Sequence, residues 1–377
     1  MSLQSAFTLN ANEIFASIAN MIISQEVFAD NLGKHQTLVD KARVDGSLYG
    51  DKKLYYATDV LKTNPWGADS EAANLLSLDR PTDPKVQDIT LDVFRQIRLT
   101  TDNYLSKRAW ADEGSFNSFQ DIMLGWMRET KKVYDGTLYN VFVGTAVSTA
   151  TKGNLNVDIT TATTGLTGEE ANRVEATAYA QFIADLLVDM GDYSRDFNDY
   201  GFLRSYADAD IKVIWNSKIV NKIKKIDLPT IFHKEGLVDK FDEEVLPSRY
   251  FGHIVGESDI GSGKIIGTDG AYDSTKGTLR AVKELVYNDK HYFPGDALAT
   301  SGTYVAVVGG LEASDVYVED ANIVCKIVTK LPPYMSAFET GTSFFNPRSL
   351  TENHYLTFGH NTLEYFKDKP YITIKKI

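Results

Sequence analysis

The sequence predicts an α+β chain, and three features carry that prediction. Two extended runs flank a proline-punctuated segment between residues 46 and 106, and one long amphipathic helix begins near Ser115. After Thr167 helix and strand signals alternate, and they lead into a stretch where glycine recurs every few residues. At 377 residues and 43% hydrophobic content the chain can fill more than one core.

In order along the chain, Ile14, Phe15, Ile18, Met21 and Ile22 predict a modest amphipathic helix. Leu48 to Tyr56 reads as extended, and so does Asp88 to Thr101, with Ile89, Leu91, Val93, Ile97 and Leu99 on alternate positions. The segment between them holds Pro65, Trp66, Gly67, Pro81 and Pro84, the punctuation of a tip. The two runs are expected to pair as a long antiparallel ribbon. Such a ribbon is marginal by itself in water and requires a partner surface.

From Ser115, Phe116, Phe119, Met123, Trp126, Met127, Val133, Tyr134, Leu138, Val141 and Phe142 recur at helical steps. Arg128, Glu129, Lys131 and Lys132 take the other side. A continuous helix to Val143 would run roughly 40 Å. Gly125 and Gly136 lower its intrinsic propensity by about 1 kcal/mol each, so packing must compensate. Asn154 to Thr160 is a weak strand within a boundary segment. Thr167-Gly168-Glu169-Glu170 has capping-box form, and Val174, Ala178, Phe182, Leu186 and Met190 carry a second helix to Gly191.

Ile211 to Trp215 predicts a short strand, followed by a helix capped at Asn216 or Ser217 and closed before Asp227-Leu228-Pro229. Ile219, Val220, Ile223 and Ile226 share one face of that helix. Residues 252–310 form a β-rich excursion with extended runs at Lys264 to Gly267, Glu284 to Tyr287 and Tyr304 to Val308. Ile323 to Lys330 and Tyr371 to Ile377 supply the last strands.

The candidate chemistries fail on spacing. Gly261-Ser262-Gly263-Lys264 lacks the interval of a phosphate-binding loop, and Ile265 replaces the hydroxyl that would hold magnesium. Neither a nucleophile elbow nor a His-Glu-x-x-His pair occurs. His354 and His360 fall at an odd interval for one helix face, near a structured loop at Asn346-Pro347-Arg348 and Asn353, and hydrogen bonding is their expected role. The acidic run Asp239, Asp242, Glu243 and Glu244 reads as a solvated face or a helix start, without the alternation of a calcium loop. No catalytic residue, cofactor site or metal site is expected, and the chain is not expected to be an enzyme.

A balance of 39 basic against 51 acidic side chains gives −12, which disfavours the wrapping of nucleic acid by a basic protein. The single cysteine, Cys325, excludes an intrachain disulfide framework and sits in an alternating strand pattern as a small buried side chain. The first basic side chain is Lys34, and no long apolar run occurs, so neither a secretion signal nor a membrane span is expected. Synthesis in a cytoplasm follows from that expectation.

Two blocks carry a resemblance. Residues 192–237, DYSRDFNDYGFLRSYADADIKVIWNSKIVNKIKKIDLPTIFHKEGL, and residues 349–377, SLTENHYLTFGHNTLEYFKDKPYITIKKI, resemble tailed-bacteriophage major capsid proteins of the Hong Kong 97 type. Within that type the chain is most similar to short-tailed phages of the crAss-like and phi29-like groups. The resemblance implies an N-terminal arm over 1–45, an extended β-ribbon loop over 46–106, and a peripheral domain with a spine helix over 107–168. An axial domain would span 169–335 with the β-rich insertion at about 252–310, and 336–377 would return to the peripheral domain.

The implied role is mechanical: self-assembly into hexamers and pentamers of an icosahedral head around packaged double-stranded DNA, in a virion made in a bacterial cytoplasm. Implied partners are the chain itself, a portal, scaffolding or auxiliary head proteins, and DNA touched weakly on the inner face, with no membrane. The resemblance places Trp66 and Arg80 at the loop tip over a neighbouring subunit, and Phe119, Met123 and Trp126 under the spine helix. Arg195, Asp196 and Asp199, set among Tyr193, Phe197, Tyr200 and Phe202, suit charge-assisted contacts between subunits. The alternative is another virion or surface structural subunit, such as a tail or adhesion protein.

Overall fold

A computed structural model of the chain describes residues 37–45, 52–63, 78, 80–102, 113–224, 242–255, 271–272, 277–287, 290–299, 302–303 and 313–377. The helices are α1 (Thr37–Ala42), α2 (Glu113–Thr145), α3 (Gly168–Gly191) and α4 (Ser217–Lys224). The strands begin with β1 (Arg43–Asp45), β2 (Lys52–Ala57), β3 (Lys85–Asp102), β4 (Asn154–Val157), β5 (Lys212–Asn216) and β6 (Asp242–Leu246). The middle of the chain holds β7 (Gly252–Ile254), β8 (Ala271–Tyr272), β9 (Leu279–Ala281), β10 (Leu285–Tyr287), β11 (Lys290–Tyr292), β12 (Ala297–Ala299) and β13 (Gly302–Thr303). It closes with β14 (Val316–Glu319), β15 (Ile323–Val328), β16 (Tyr334–Asn346), β17 (Thr351–Asn361) and β18 (Tyr371–Lys376). The class is α+β, with few helices and many strands. The helix expected over residues 14–22, the Gly261–Lys264 turn and the runs at 264–267 and 304–308 lie outside the described residues.

Two compact units divide the chain: the first takes Met1–Asp51, Thr90–Asn140 and Pro333–Leu363, the second Lys52–Ile89, Val141–Pro332 and Glu364–Ile377. In the first, β16 and β17 form a long antiparallel hairpin, and β17 pairs on its other side with β3. The sheet order is β1-β16-β17-β3-β2. The expected ribbon strands are therefore neighbours, but β3 is an inner strand whose residues from Leu91 to Asp102 pair with β17. An isolated ribbon would leave those backbone groups to water, and the hairpin some 250 residues further along satisfies them. His354 and His360 stand on β17 six residues apart and so on one sheet face, and both hydrogen-bond as expected, to the Thr101 and Tyr134 hydroxyls.

That face is covered by α2. The helix has 33 residues, about 50 Å at 1.5 Å per residue, longer than expected. Tyr134 meets Phe358 edge-on at 5.7 Å, and the Lys131 ammonium lies 5.4 Å from the Phe358 ring centroid. Lys131, placed by periodicity on the water side, is in fact buried, because Asp135 one turn on shares its face and neutralises it. Leu38 and Val39 of α1 are buried, as are Tyr334 and Met335 at the root of the hairpin.

The second unit is built on a sheet in the order β4-β18-β15-β5-β6. Its central strand β15 is buried at all six positions, so Cys325 is buried as expected and Lys326 is buried beside it. The core behind it joins Tyr179, Ile183, Leu187 and Met190 of α3 to Val213 and Trp215 of β5, Ile219 and Val220 of α4, and Ile372 and Ile374 of β18. Each such fully buried side chain contributes about 1.5–3 kcal/mol. The buried stripe of α3 is Ala176, Tyr179, Ile183, Leu186, Leu187 and Met190, centred one residue from the expected Val174, Ala178 and Phe182.

Asn216 caps α4 through Oδ1, which accepts from the Lys218 backbone N–H at 3.1 Å, as its sequence position predicts. Thr167 precedes α3 without a side-chain cap bond, so the expected capping box does not form. Asp242, Glu243 and Glu244 of the acidic run start no helix but form the edge strand β6, parallel to β5, whose first two carboxylates are solvated; Asp239 lies outside the described residues. Of the described strands in the glycine-punctuated stretch, β7, β9 and β12 join the later β14 in a four-stranded sheet in the order β12-β9-β14-β7, while β10 pairs with β11 and β8 with β13. A Cβ on Gly144, near the end of α2, would lie 2.0 Å from the Tyr250 carbonyl oxygen, so this close approach requires glycine.

Candidate assembly interface

The outer half of the β3, β17 and β16 layer is the first candidate surface. Its root is fixed by a buried polar cluster centred on Asp135, which has no exposed surface. Asp135 accepts from the Tyr334 hydroxyl at 2.6 Å, from Lys131 Nζ at 3.1 Å and from Arg43 Nη2 at 3.4 Å. Burial and the neighbouring Asp135 carboxylate hold the Tyr334 hydroxyl far above the ordinary tyrosine range. His360 stacks on Tyr334 at 5.7 Å, shares a 2.9 Å hydrogen bond with the Tyr134 hydroxyl, and is pushed below the usual histidine range by burial. Met335 donates its backbone N–H to Asn361 Oδ1 at 2.8 Å. Helix, hairpin and α1–β1 segment are thus pinned at one point by charge-assisted bonds.

Beyond this root the sheet loses its cover. Residues 341–345 are all exposed, which in a strand means both faces. Phe344 is 61% and Phe345 48% exposed, on opposite faces of the strand, and Phe94 is 59% exposed on the face of Phe344. The open face otherwise carries cross-strand polar pairs, Gln96 to Thr357 at 3.1 Å and Thr100 to Asn353 at 2.7 Å. At the hairpin turn Leu350 takes a φ of 56°, a conformation uncommon for a leucine.

A second candidate surface is the loop over 192–204 in the other unit. Arg195 donates to Asp59 at 2.6 Å and to the Gly201 carbonyl at 2.9 Å. The Arg195 hydrogen bond, with the Leu203 backbone N–H, holds the Asp59 carboxyl well below the usual carboxylate range, at about 2. Asp199 accepts from the Ser148 hydroxyl at 2.6 Å and the Tyr365 hydroxyl at 2.5 Å. Arg204 makes an ion pair with Asp368 at 2.8 Å and donates to the Thr58 carbonyl at 2.7 Å. Arg195 and Asp199, assigned from sequence to contacts between subunits, therefore have partners in their own chain. Asp196 lies half-buried, and its carbonyl accepts from the Lys152 N–H at 2.9 Å. Tyr193, 75% exposed, and Tyr200 remain at the surface of this loop.

Of the other residues singled out, Arg80 is exposed and outside regular structure, and Trp66 lies outside the described residues. Phe119 and Met123 are on α2, but their side chains lie outside the described set; Trp126 is half-buried beside a buried Met127. Sequence reasoning missed Asp135, Tyr334, Asp59 and Lys326. The four-residue interval from Lys131 to Asp135 was the one local signal available. Among the described residues no helix is long and apolar enough to cross a membrane, and no three His, Cys, Asp or Glu side chains converge as metal ligands.

No protein-family model matches the chain, and no curated protein matches it in sequence. Solved structures do match. A chain in the capsid structure of Staphylococcus phage Andhra superposes with a TM-score of 0.54 at 11% identity, over 89% of this chain and 83% of that one. The chain has a fold found in phage capsids. A chain in the structure of head fiber and inner core protein gp22 of native bacteriophage P68 gives the same TM-score of 0.54, at 11% identity and the same coverage of 89% and 83%.

Proposed function

We propose that this protein is the major capsid subunit of a tailed phage, of the Hong Kong 97 type, assembling into hexamers and pentamers of an icosahedral head that encloses double-stranded DNA. The likeness to a chain of the Andhra capsid along nearly nine-tenths of the molecule carries the reading. The doubly exposed outer sheet supports it, since strands with water on both faces gain little from burial until a neighbour arrives. The role is structural and not enzymatic. Partners are further copies of the chain, a portal, and scaffolding or auxiliary head proteins. With a net charge of −12, contact with DNA would be local and weak.

In this reading residues 46–106 are the extended loop, with Trp66 and Arg80 over a neighbouring subunit, and α2 is the spine helix. Affinity to the crAss-like and phi29-like phages belongs to the same proposal. Electron microscopy of the expressed chain tests it: rings, sheets or closed shells are expected, and a chain that stays solitary at high concentration overturns it. Replacing residues 64–79 by a short Gly/Ser linker spares Asp59 and its bonds, and is expected to leave a folded subunit that does not assemble. The P68 description, which names a head fiber, favours a second reading as another virion structural subunit; fibres or tubes in place of curved lattices would select it.

A further inference from the structure

We propose that a lysine-rich corner of the second unit, Lys53, Lys330, Lys367 and Lys369 around Tyr55 and Phe366, is a contact for the phosphate backbone of duplex DNA. The inference rests on the shell reading, which supplies the DNA, and it names the place of contact. Two rings set the corner: Tyr55 of β2 meets Phe366 edge-on at 4.9 Å. The Lys330 ammonium, just beyond β15, lies 4.7 Å from the Phe366 ring centroid and 5.6 Å from that of Tyr55. Lys330 is nonetheless exposed, so the rings hold its stem in place and leave its charge toward water. Lys53 stands two residues before Tyr55, on the same face of β2. Lys367 follows Phe366 directly, and the Lys369 N–H closes a turn on the Phe366 carbonyl at 3.0 Å. Gln87 of β3 fixes this turn, donating to the Tyr365 carbonyl at 2.9 Å and accepting from the Lys367 N–H at 3.1 Å.

Several other cations of the unit stand beside a carboxylate: Lys152 beside Asp189, Lys212 beside Asp242, Lys283 beside Asp315 and Lys375 beside Asp320. Among the described residues Lys53, Lys330, Lys367 and Lys369 form no ion pair. The carboxylates nearby are engaged already, Asp88 by Lys52 at 2.7 Å, Asp368 by Arg204 at 2.8 Å, and Asp199 by the Ser148 and Tyr365 hydroxyls. Glu364 lies 3.4 Å from Gln87 Nε2. Lys52 chiefly, with Lys367 further off, holds the Asp88 carboxyl below the usual carboxylate range. Six cations of the corner, the four lysines with Lys52 and Arg204, thus meet four carboxylates, a balance opposite in sign to the 39 basic and 51 acidic side chains of the whole chain.

Charge and shape select the occupant. Phe366 is buried and Lys330 lies over both rings, so the corner offers no free ring face of the sort on which single strands stack their bases. Lysine ammonium groups are compact point charges that suit a row of phosphates and read no base. The contact is therefore independent of sequence and driven by counterion release. A net charge of −12 repels DNA from the rest of the surface, which confines the contact to this corner.

Fluorescence anisotropy of the free subunit with a short labelled duplex tests the assignment without requiring a shell. Binding is expected at about 10⁻⁶ to 10⁻⁴ M, alike for unrelated sequences, and is expected to weaken as salt rises from about 50 to about 200 mM. Lys330→Gln with Lys367→Gln, both at exposed positions, is expected to weaken it by about tenfold or more at the lower salt. The slope of log K against log salt should flatten by about 1.8, the share of two phosphate contacts. Lys283→Gln with Lys290→Gln changes the net charge equally at another place and is expected to leave binding within about twofold of wild type. No binding by the wild-type chain, or an equal loss in the two double variants, overturns the inference and leaves the shell reading untouched. Polyglutamate bound more tightly than the duplex would assign the corner to an acidic protein segment and overturn the DNA assignment. Subunits that bind the duplex as expected yet never form shells overturn the shell reading alone.

Discussion

The Tyr334 hydroxyl donates to the Asp135 carboxylate across 2.6 Å, and this bond ties the root of the β16–β17 hairpin to the middle of the long helix. Lys131 and Arg43 complete the site, so two cations share one buried anion. Removing the anion leaves the 8%-exposed Lys131 charge with only the half-exposed Glu339 at 3.4 Å and also deletes the bonds from Tyr334 and Arg43, at a cost of roughly 3 kcal/mol or more, whereas Tyr334→Phe deletes one charged hydrogen bond, about 1.5–3 kcal/mol. Urea unfolding is expected to rank Asp135→Ala well below Tyr334→Phe, and Tyr334→Phe below wild type. Equal midpoints for the two variants would show that Asp135 is not the hub.

Lys326 is fully buried at the centre of β15, donating to the Ala146 carbonyl at 2.7 Å and the Thr373 hydroxyl at 2.9 Å. Burial pushes its ammonium down to about 7. Between that value and the ordinary lysine range the unfolded chain binds more protons than the folded one, so stability from this group rises with pH from about 7 to about 10. Lys326→Met removes the charge at similar length. Its midpoint is expected to exceed that of wild type near pH 7 and to lose part of that lead by pH 9.5. A difference that does not change with pH would mean that the folded chain holds the Lys326 proton as firmly as the unfolded chain does, so that burial has not lowered its affinity.

What was legible in sequence followed from local chemistry. The α2 and α3 helices, the strand before Asn216, the Asn216 cap and the two strands flanking the proline-rich segment all rest on periodicity or on a capping side chain. The third strand of the outer sheet was not legible, because β17 joins β3 across more than 200 intervening residues and no local pattern records a pairing partner. Lys131 was read as exposed because hydropathy alone assigns a cation to water, and only Asp135 makes its burial tolerable; Lys326, which no local pattern singled out, is held in the interior by a carbonyl and a hydroxyl. Arg195 and Asp199 were recognised as a charged cluster, but their partners Asp59, Ser148 and Tyr365 lie far along the chain.

Gly144 was not singled out by any helix-breaking signal, since it lies near the end of α2, where glycine is unremarked. The Tyr250 carbonyl oxygen would lie 2.0 Å from its Cβ, and that carbonyl is backbone, which cannot rotate away. Gly144→Ala is therefore expected to destabilise by roughly 1–3 kcal/mol despite the higher helix propensity of alanine. Gly191→Ala, with nothing near its Cβ, is the matched control and is expected to be near neutral or slightly stabilising. Thermal melts of the two variants check the contrast.

Asp59 accepts hydrogen bonds from Arg195, from the Leu203 N–H at 3.0 Å and from the Val60 N–H at 2.9 Å, and so anchors the 192–204 loop. Arg195 is half-exposed, and its truncation to alanine is expected to cost no more than about 1 kcal/mol of subunit stability. Asp59→Asn is expected to cost more, because the negative charge serves all three donors at once. The sign with pH follows from a folded-state carboxyl held at about 2, below its unfolded value. Its stabilisation is fully present above about pH 4 and is lost as pH falls toward about 2. The gap between wild type and Asp59→Asn should accordingly be constant from pH 5 to 7 and close toward pH 2. If Arg195→Ala leaves the subunit nearly as stable as wild type yet abolishes particle formation, the arginine also serves a neighbouring copy; if particles form normally, its work is done within the loop.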